Sequence, residues 1–297
     1  MRPTVGFRAA ESVRQACALL ADDPGARVVS GGTALSILMR QGLIRPTWLI
    51  GLNRIPSLAR ITIDGSLYLG ATARLSAVER DARVAAEWPV LAATLRRVAT
   101  PRIRNMATIG GGVAHADPAQ DPPATFVALD AQVHVAGPDG DRRIPARDFF
   151  VDYYETALRL GEIVVGVEVP RLPEGGGAAF EKFTPRSVDD YATVSACAVV
   201  RLDSNGVVEE ARLVLGAAGG RPVVVEVADV LRGRRFEESA AREAAELAWS
   251  VVDPVDDVRG SADYKRDMAV VFARRALVRA AAAASQPGSS SRKSRLP

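Results

Sequence analysis

Apolar residues recur at helical spacing over 11–21, at Val13, Ala16, Cys17 and Leu20, and predict a first helix. The short apolar run RVVS at 27–30 predicts a strand that runs into Gly31-Gly32. A second helical pattern covers 33–42 and stops at Gly42, and TWLIGL at 47–52 predicts a second buried strand. The pattern then changes to hairpins. Residues 61–71 read as two strands around Asp64-Gly65, and 132–146 as two strands around Pro138-Asp139-Gly140. Between them lie helical patterns at 90–99 and 122–131, the latter opening after Asp121 as N-cap with prolines in its first turn. A further strand is predicted at 162–170.

The segment Pro170 to Gly177 is rich in proline and glycine and reads as a domain boundary. Beyond it come strand patterns at 178–183, 193–203 and 209–219, then helical patterns at 236–252 and 264–284. Strands followed by helices predict an α+β domain. The expected organisation is a domain over 1–173, with subdomains of about 1–55 and 56–173, a second domain over 178–283, and a disordered, basic tail over 284–297. No internal repeat is visible.

Composition narrows the function classes. No run of ~18 or more apolar residues occurs, so no membrane-spanning helix is expected. The N-terminal residues lack the pattern of a signal peptide, and a cytoplasmic protein is expected. The formal charge of +3 equals the contribution of Arg292, Lys293 and Arg295 in the tail, so the body is near neutral. That argues against a nucleic-acid partner, which would require a clustered basic surface. Cys17 and Cys197, the two cysteines, cannot supply the four thiolates of an iron–sulfur cluster. They read as small buried hydrophobes, and with His115 and His134 isolated no metal site is expected.

Two glycine clusters carry candidate chemistry: Ser30-Gly31-Gly32-Thr33 and Thr108-Ile109-Gly110-Gly111-Gly112. Adjacent glycines admit positive φ and remove side chains that would block a ligand. Successive N–H groups can then converge on an anion as a nest. Two such loops would hold a dinucleotide's diphosphate without an arginine. Neither loop fits GxGxxG in a βαβ unit, so a Rossmann site is disfavoured, and no Walker A sequence occurs.

The surroundings of the second loop are more specific. The stretch ATPRIRNMATIGGGVAHADPAQDPPATFVALDA at 99–131 closely resembles the flavoprotein component of molybdenum hydroxylases, whose pattern is roughly QIRN-x-x-TIGGN followed by P-x-x-D. Thr108, Ile109, Gly110, Gly111, Pro118 and Asp121 match it. SGGTAL at 30–35 resembles the family's AGG-x-SL, and RRIPARDFFVDYYETALRLGEIVVGVEVP at 142–170 resembles its next block. FEKFTPRSVDDYATVSACAVV and VDDVRGSADYKRDMAVVFARRAL resemble its C-terminal domain, particularly that of carbon monoxide dehydrogenase medium subunits and xanthine dehydrogenase FAD-binding subunits. The likeness runs in order over about residues 3–283.

The resemblance implies an α+β fold: an FAD-binding domain of the p-cresol methylhydroxylase (vanillyl-alcohol oxidase) type with two αβ subdomains, then a C-terminal α+β domain of the carbon monoxide dehydrogenase flavoprotein type. It implies non-covalent FAD. The first FAD loop maps to Val28, Val29, Ser30, Gly31, Gly32, Thr33, Ala34 and Leu35, and the second to Thr108, Ile109, Gly110, Gly111 and Gly112. Asp121, and more weakly Asp117, would accept hydrogen bonds from ribityl or ribose hydroxyls. Lys182 would stabilise the charge of the reduced flavin, Tyr191 would stack on the ring or gate it, and Ile163 beside Glu162 would pack against it. Arg102 and Arg104 read as loop-structuring or partner-facing. The chain departs from the family at Ser30 for alanine, Ala34 for serine and Gly112 for asparagine.

The implied function is that of an electron-transfer subunit with no catalytic residue or metal of its own. Partners would be an iron–sulfur small subunit and a molybdopterin large subunit, in a dimer of heterotrimers, with NAD, a quinone or oxygen as acceptor. The rivals are a stand-alone flavin oxidoreductase of the same superfamily, such as UDP-N-acetylmuramate dehydrogenase in outline, and a flavin-free assembly or binding protein.

Overall fold

The computed structural model describes residues 5–285. The expected disordered tail lies, apart from its first residues, outside the described residues. The chain forms two compact units: one runs to Asp117 and resumes over Asp130–Arg171, the other comprises Pro118–Leu129 and the chain from Leu172 onward.

The first unit opens with β1 (Gly6–Ala9), α1 (Val13–Asp22), β2 (Arg27–Val29), α2 (Leu35–Arg40) and β3 (Trp48–Gly51). The strands form a parallel sheet in the order β1-β3-β2. Ser12 caps α1 by accepting from the Gln15 N–H, and the helix buries Ala16 and Cys17 against Ile50 of β3 and Ala26. Next come β4 (Ile61–Asp64), β5 (Ser66–Gly70), α3 (Leu75–Arg80), α4 (Ala82–Glu87), α5 (Pro89–Arg96), α6 (Pro101–Arg104) and α7 (Ile109–His115). After α8 (Asp121–Ala128), which belongs to the second unit, the chain returns with β6 (Gln132–Gly137), β7 (Gly140–Pro145), α9 (Ala146–Phe149), β8 (Phe150–Asp152), β9 (Glu155–Thr156) and β10 (Ile163–Val169). An antiparallel sheet results, ordered β4-β5-β10-β6-β7. The two predicted hairpins lie at its edges, and β10 zips between them.

The second unit adds β11 (Gly176–Phe183), β12 (Val194–Leu202), β13 (Val208–Gly216), β14 (Val223–Val225), α10 (Ala228–Leu231), α11 (Glu238–Val251) and α12 (Ala262–Ala284). Its strands form one antiparallel sheet in sequence order. One face, with Val194, Ala196, Ala198 and Val200, packs on the alanine-rich inner faces of α11 and α12. α8 packs on β12 and β13. The expected α+β fold, two αβ parts and then an α+β part, is the fold observed. The short elements β1, α3, α4, α6, α9, β8, β9, β14 and α10 were not predicted.

Candidate functional site

The first glycine loop grows out of the parallel sheet. Val28 faces the core with Ile50, while Val29, the last residue of β2, has its carbonyl bonded by the Leu52 N–H at 3.1 Å. The next carbonyl, of Ser30, accepts from Asn53 Nδ2 at 3.3 Å, and the Ser30 hydroxyl lies 3.5 Å from Asn53 Oδ1. Gly31 packs so tightly on the main chain of Met106 and Ala107 that a Cβ would collide with the Met106 carbonyl oxygen. Gly32 has φ 68°, a left-handed conformation that glycine adopts without strain. Thr33 and Ala34 lead into α2, whose N-cap, Ala34, makes no side-chain hydrogen bond. Leu35 opens the helix.

The polarity of this loop is one-sided. The carbonyls of Gly32 and Ala34 are taken by Ser36, Ile37 and Leu38 N–H groups. The N–H groups of Gly31, Gly32, Thr33, Ala34 and Leu35 have no acceptor among the described residues. Five consecutive main-chain donors at a helix start form an anion cradle.

The second segment is not the open turn that the sequence predicts. Ile109–His115 is helix α7, capped by Thr108, whose hydroxyl accepts from the Gly111 N–H at 3.3 Å. The N–H groups of Ile109 and Gly110 donate to the carbonyls of Ala73 and Ala71, at 3.0 and 2.9 Å, and that of Gly112 to Thr108 O at 3.0 Å. These donors are committed, so the expectation of a second bare nest is corrected. Gly110 is glycine because a Cβ would lie 2.5 Å from Ala71 Cβ and 2.8 Å from its Cα, a packing requirement rather than room for a phosphate. The preceding Met106 and Ala107 form the wall on which Gly31 rests.

The remaining first-unit candidates divide. Ile163 is 3% exposed and packs with Cys17, Ile50 and Ala136, inside the core rather than on an open face. Glu162 is gripped by Arg142 through two bonds of 2.8 Å, and these chiefly hold its carboxyl below the usual carboxylate range. Asp117 is buried just after Ala116, which has φ 49°; burial pushes the nearby His115 below the usual imidazole range, against the opposing charge of Asp117. Arg104 is structural: it bonds Glu79 at 2.8 Å and the carbonyls of Val98 and Ala99 at 2.9 and 2.6 Å. Arg102 is exposed on α6.

In the second unit, Asp121 is the first residue of α8 and Gln120 the N-cap, which corrects the predicted cap. Lys182 Nζ donates to Asp121 Oδ2 at 2.8 Å, with side chains only 2% and 3% exposed. The expected flavin-facing cation is thus charge-compensated by a carboxylate of its own unit, and removing either partner would bury an uncompensated charge. Tyr191 is half-exposed, with the Arg259 guanidinium 5.7 Å from its ring centroid. Cys197 lies under α8, and burial pushes its thiol up to about 12. Among the described residues no group of three or more metal-capable side chains converges. Sequence reasoning missed Asn53, which reads there as an ordinary turn residue after a strand.

Residues 3–172 match the family described as the FAD binding domain in molybdopterin dehydrogenase, and residues 178–280 match the CO dehydrogenase flavoprotein C-terminal domain. The chain belongs to the FAD-binding subunits of the molybdopterin dehydrogenases. It is 36% identical to the carbon monoxide dehydrogenase medium chain of Hydrogenophaga pseudoflava, over 93% of this chain and 96% of that one. To the 6-hydroxypseudooxynicotine dehydrogenase complex subunit alpha of Paenarthrobacter nicotinovorans it is 35% identical, over 94% and 95%. A solved structure of the Hydrogenophaga carbon monoxide dehydrogenase superposes with a TM-score of 0.91 at 35% identity, covering 95% of this chain and 99% of that chain. The chain is therefore a medium-type subunit of an oxidoreductase, and its cofactor is FAD. The residues present suit that cofactor. The row of amides from Gly31 to Leu35 supplies hydrogen-bond donors of the kind a diphosphate's oxygens would accept, and Ala34, lacking a hydroxyl, leaves the row without a side-chain cap.

Proposed function

We propose that the chain is the electron-transfer subunit of a molybdenum hydroxylase, holding FAD by the main-chain donors of Gly31, Gly32, Thr33, Ala34 and Leu35. When bound, FAD supplies the chemistry that joins single-electron donors to a two-electron acceptor. The chain's own part is to bind and orient. Val28 and Val29 anchor the loop in the sheet, Met106 and Ala107 form its wall, and Thr108 to Gly112 fix that wall on Ala71 and Ala73. With two cysteines in 297 residues, this chain lacks the thiolates of a cluster, so the iron–sulfur and molybdopterin centres belong to small and large partner subunits. The relatives' names, "medium chain" and "complex subunit", support a heteromeric assembly, a dimer of heterotrimers in this reading. Electrons pass from the partner's clusters to NAD, a quinone or oxygen in the cytoplasm.

One observation carries the reading: five adjacent amides without an acceptor among the described residues. Ala34→Asp tests it. A carboxylate at a helix start favours the free protein through the helix dipole. The same charge repels a diphosphate: two like charges ~4 Å apart near a protein surface interact by about 4 kcal/mol before salt screening. FAD affinity, titrated by flavin fluorescence, is expected to fall at least about tenfold. The flavin-free melting temperature stays level or rises. Unchanged affinity at low salt contradicts the placement of the diphosphate.

A further inference from the structure

Asn53 follows β3 directly, and both ends of its side-chain amide meet one residue, Ser30. The arrangement continues the sheet. The Leu52 N–H bonds the Val29 carbonyl at 3.1 Å, and one residue later Asn53 Nδ2 bonds the Ser30 carbonyl at 3.3 Å. The side chain thus supplies the rung that the diverging main chains no longer can. In a trans peptide the carbonyl of one residue and the N–H of the next point in opposite directions. Fixing the Ser30 carbonyl toward Asn53 therefore turns the Gly31 N–H away from β3. Gly31 carries the first of the five open donors. It also has no side chain to resist rotation of that peptide, because a Cβ would strike Met106. Ser30, which stands where the family commonly has alanine, adds a hydroxyl at 3.5 Å from Asn53 Oδ1 that holds the amide the right way round.

We infer that Asn53 is a positioning residue: it sets the Ser30–Gly31 peptide and so aims the first main-chain donor at the FAD diphosphate. The inference rests on the loop reading above. Two variants of the full chain, in the assembly with which it is isolated, test it. Asn53→Ala removes the rung. Asn53→Asp keeps size and shape but replaces the donor with an acceptor facing a carbonyl. Loss of one hydrogen bond to a charged group corresponds to roughly tenfold weaker FAD binding or more, expected for both variants and larger for Asn53→Asp. The 31P resonances of bound FAD are expected to shift, while the flavin-free melting temperature moves by no more than about 2 °C. A merely structural asparagine would lower the flavin-free melting temperature and the affinity together in both variants, with the 31P resonances of the FAD still bound unshifted; that result overturns the inference. So does unchanged affinity with unchanged 31P signals in both variants. If Ala34→Asp weakens FAD and the Asn53 variants do not, only this inference fails. If none of the three does, the loop reading fails as well.

Discussion

At Gly31 an added Cβ would collide with the Met106 carbonyl, at Gly32 the backbone stands at φ 68°, and at Gly110 a Cβ would press on Ala71. The sequence shows three equivalent-looking glycines in two clusters. Their physical reasons differ: loop-to-loop contact, a left-handed turn and packing of a helix start. Gly110→Ala is therefore expected to act on the fold. It should destabilise the flavin-free protein by ~1–3 kcal/mol, the usual range for overpacking, measured as a lowered urea midpoint. An unchanged midpoint with lost FAD would restore the phosphate-approach reading instead. That a glycine loop joins β2 to α2 was legible because its glycines sit directly after a strand pattern. Asn53 was not, because its role depends on which strand lies beside β2. Nor was the pairing of Lys182 with Asp121, which are 61 positions apart.

The long periodic helices and the two hairpins were readable because each is fixed by local spacing and turn residues. α7 was not, since three successive glycines argue against a helix. It forms because its first donors are taken by Ala71, Ala73 and Thr108, none of which a local pattern reveals. The position of β10 between β5 and β6 is likewise a long-range outcome. The turn leading into β10 is held by one fork: Arg142 of β7 holds Glu162, which also accepts from the Arg159 N–H at 2.6 Å. The folded carboxyl titrates below its ordinary value because of Arg142. Its stabilisation is therefore present above the unfolded value, about pH 4.3, and lost as pH falls through the lower folded value. Glu162→Gln is expected to be less stable at neutral pH, with a flatter stability profile between about pH 5 and 3 in urea unfolding. A profile as steep as that of the parent would contradict the fork's role.

At the scale of the molecule, each unit has sheets and a core of its own, and the chain passes between them more than once. The sequence places a boundary at Pro170–Gly177, whereas α8 packs with the later strands: Thr125 bonds Cys197, and the Ala217 N–H donates to the Pro118 carbonyl at 2.9 Å. A helical pattern tells that α8 exists but not which sheet it covers. The family, by contrast, was legible across nearly the whole chain, because its motifs recur in order. What the structure adds is an asymmetry: the first glycine segment offers donors, and the second spends them on its own support. The most direct test is the crystal structure of the FAD-loaded assembly. The account predicts diphosphate oxygens about 3 Å from the N–H groups between Gly31 and Leu35, with Ile109 and Gly110 still bonded to Ala73 and Ala71. Phosphates seated instead on the amides of α7, or remote from the first loop, would contradict it.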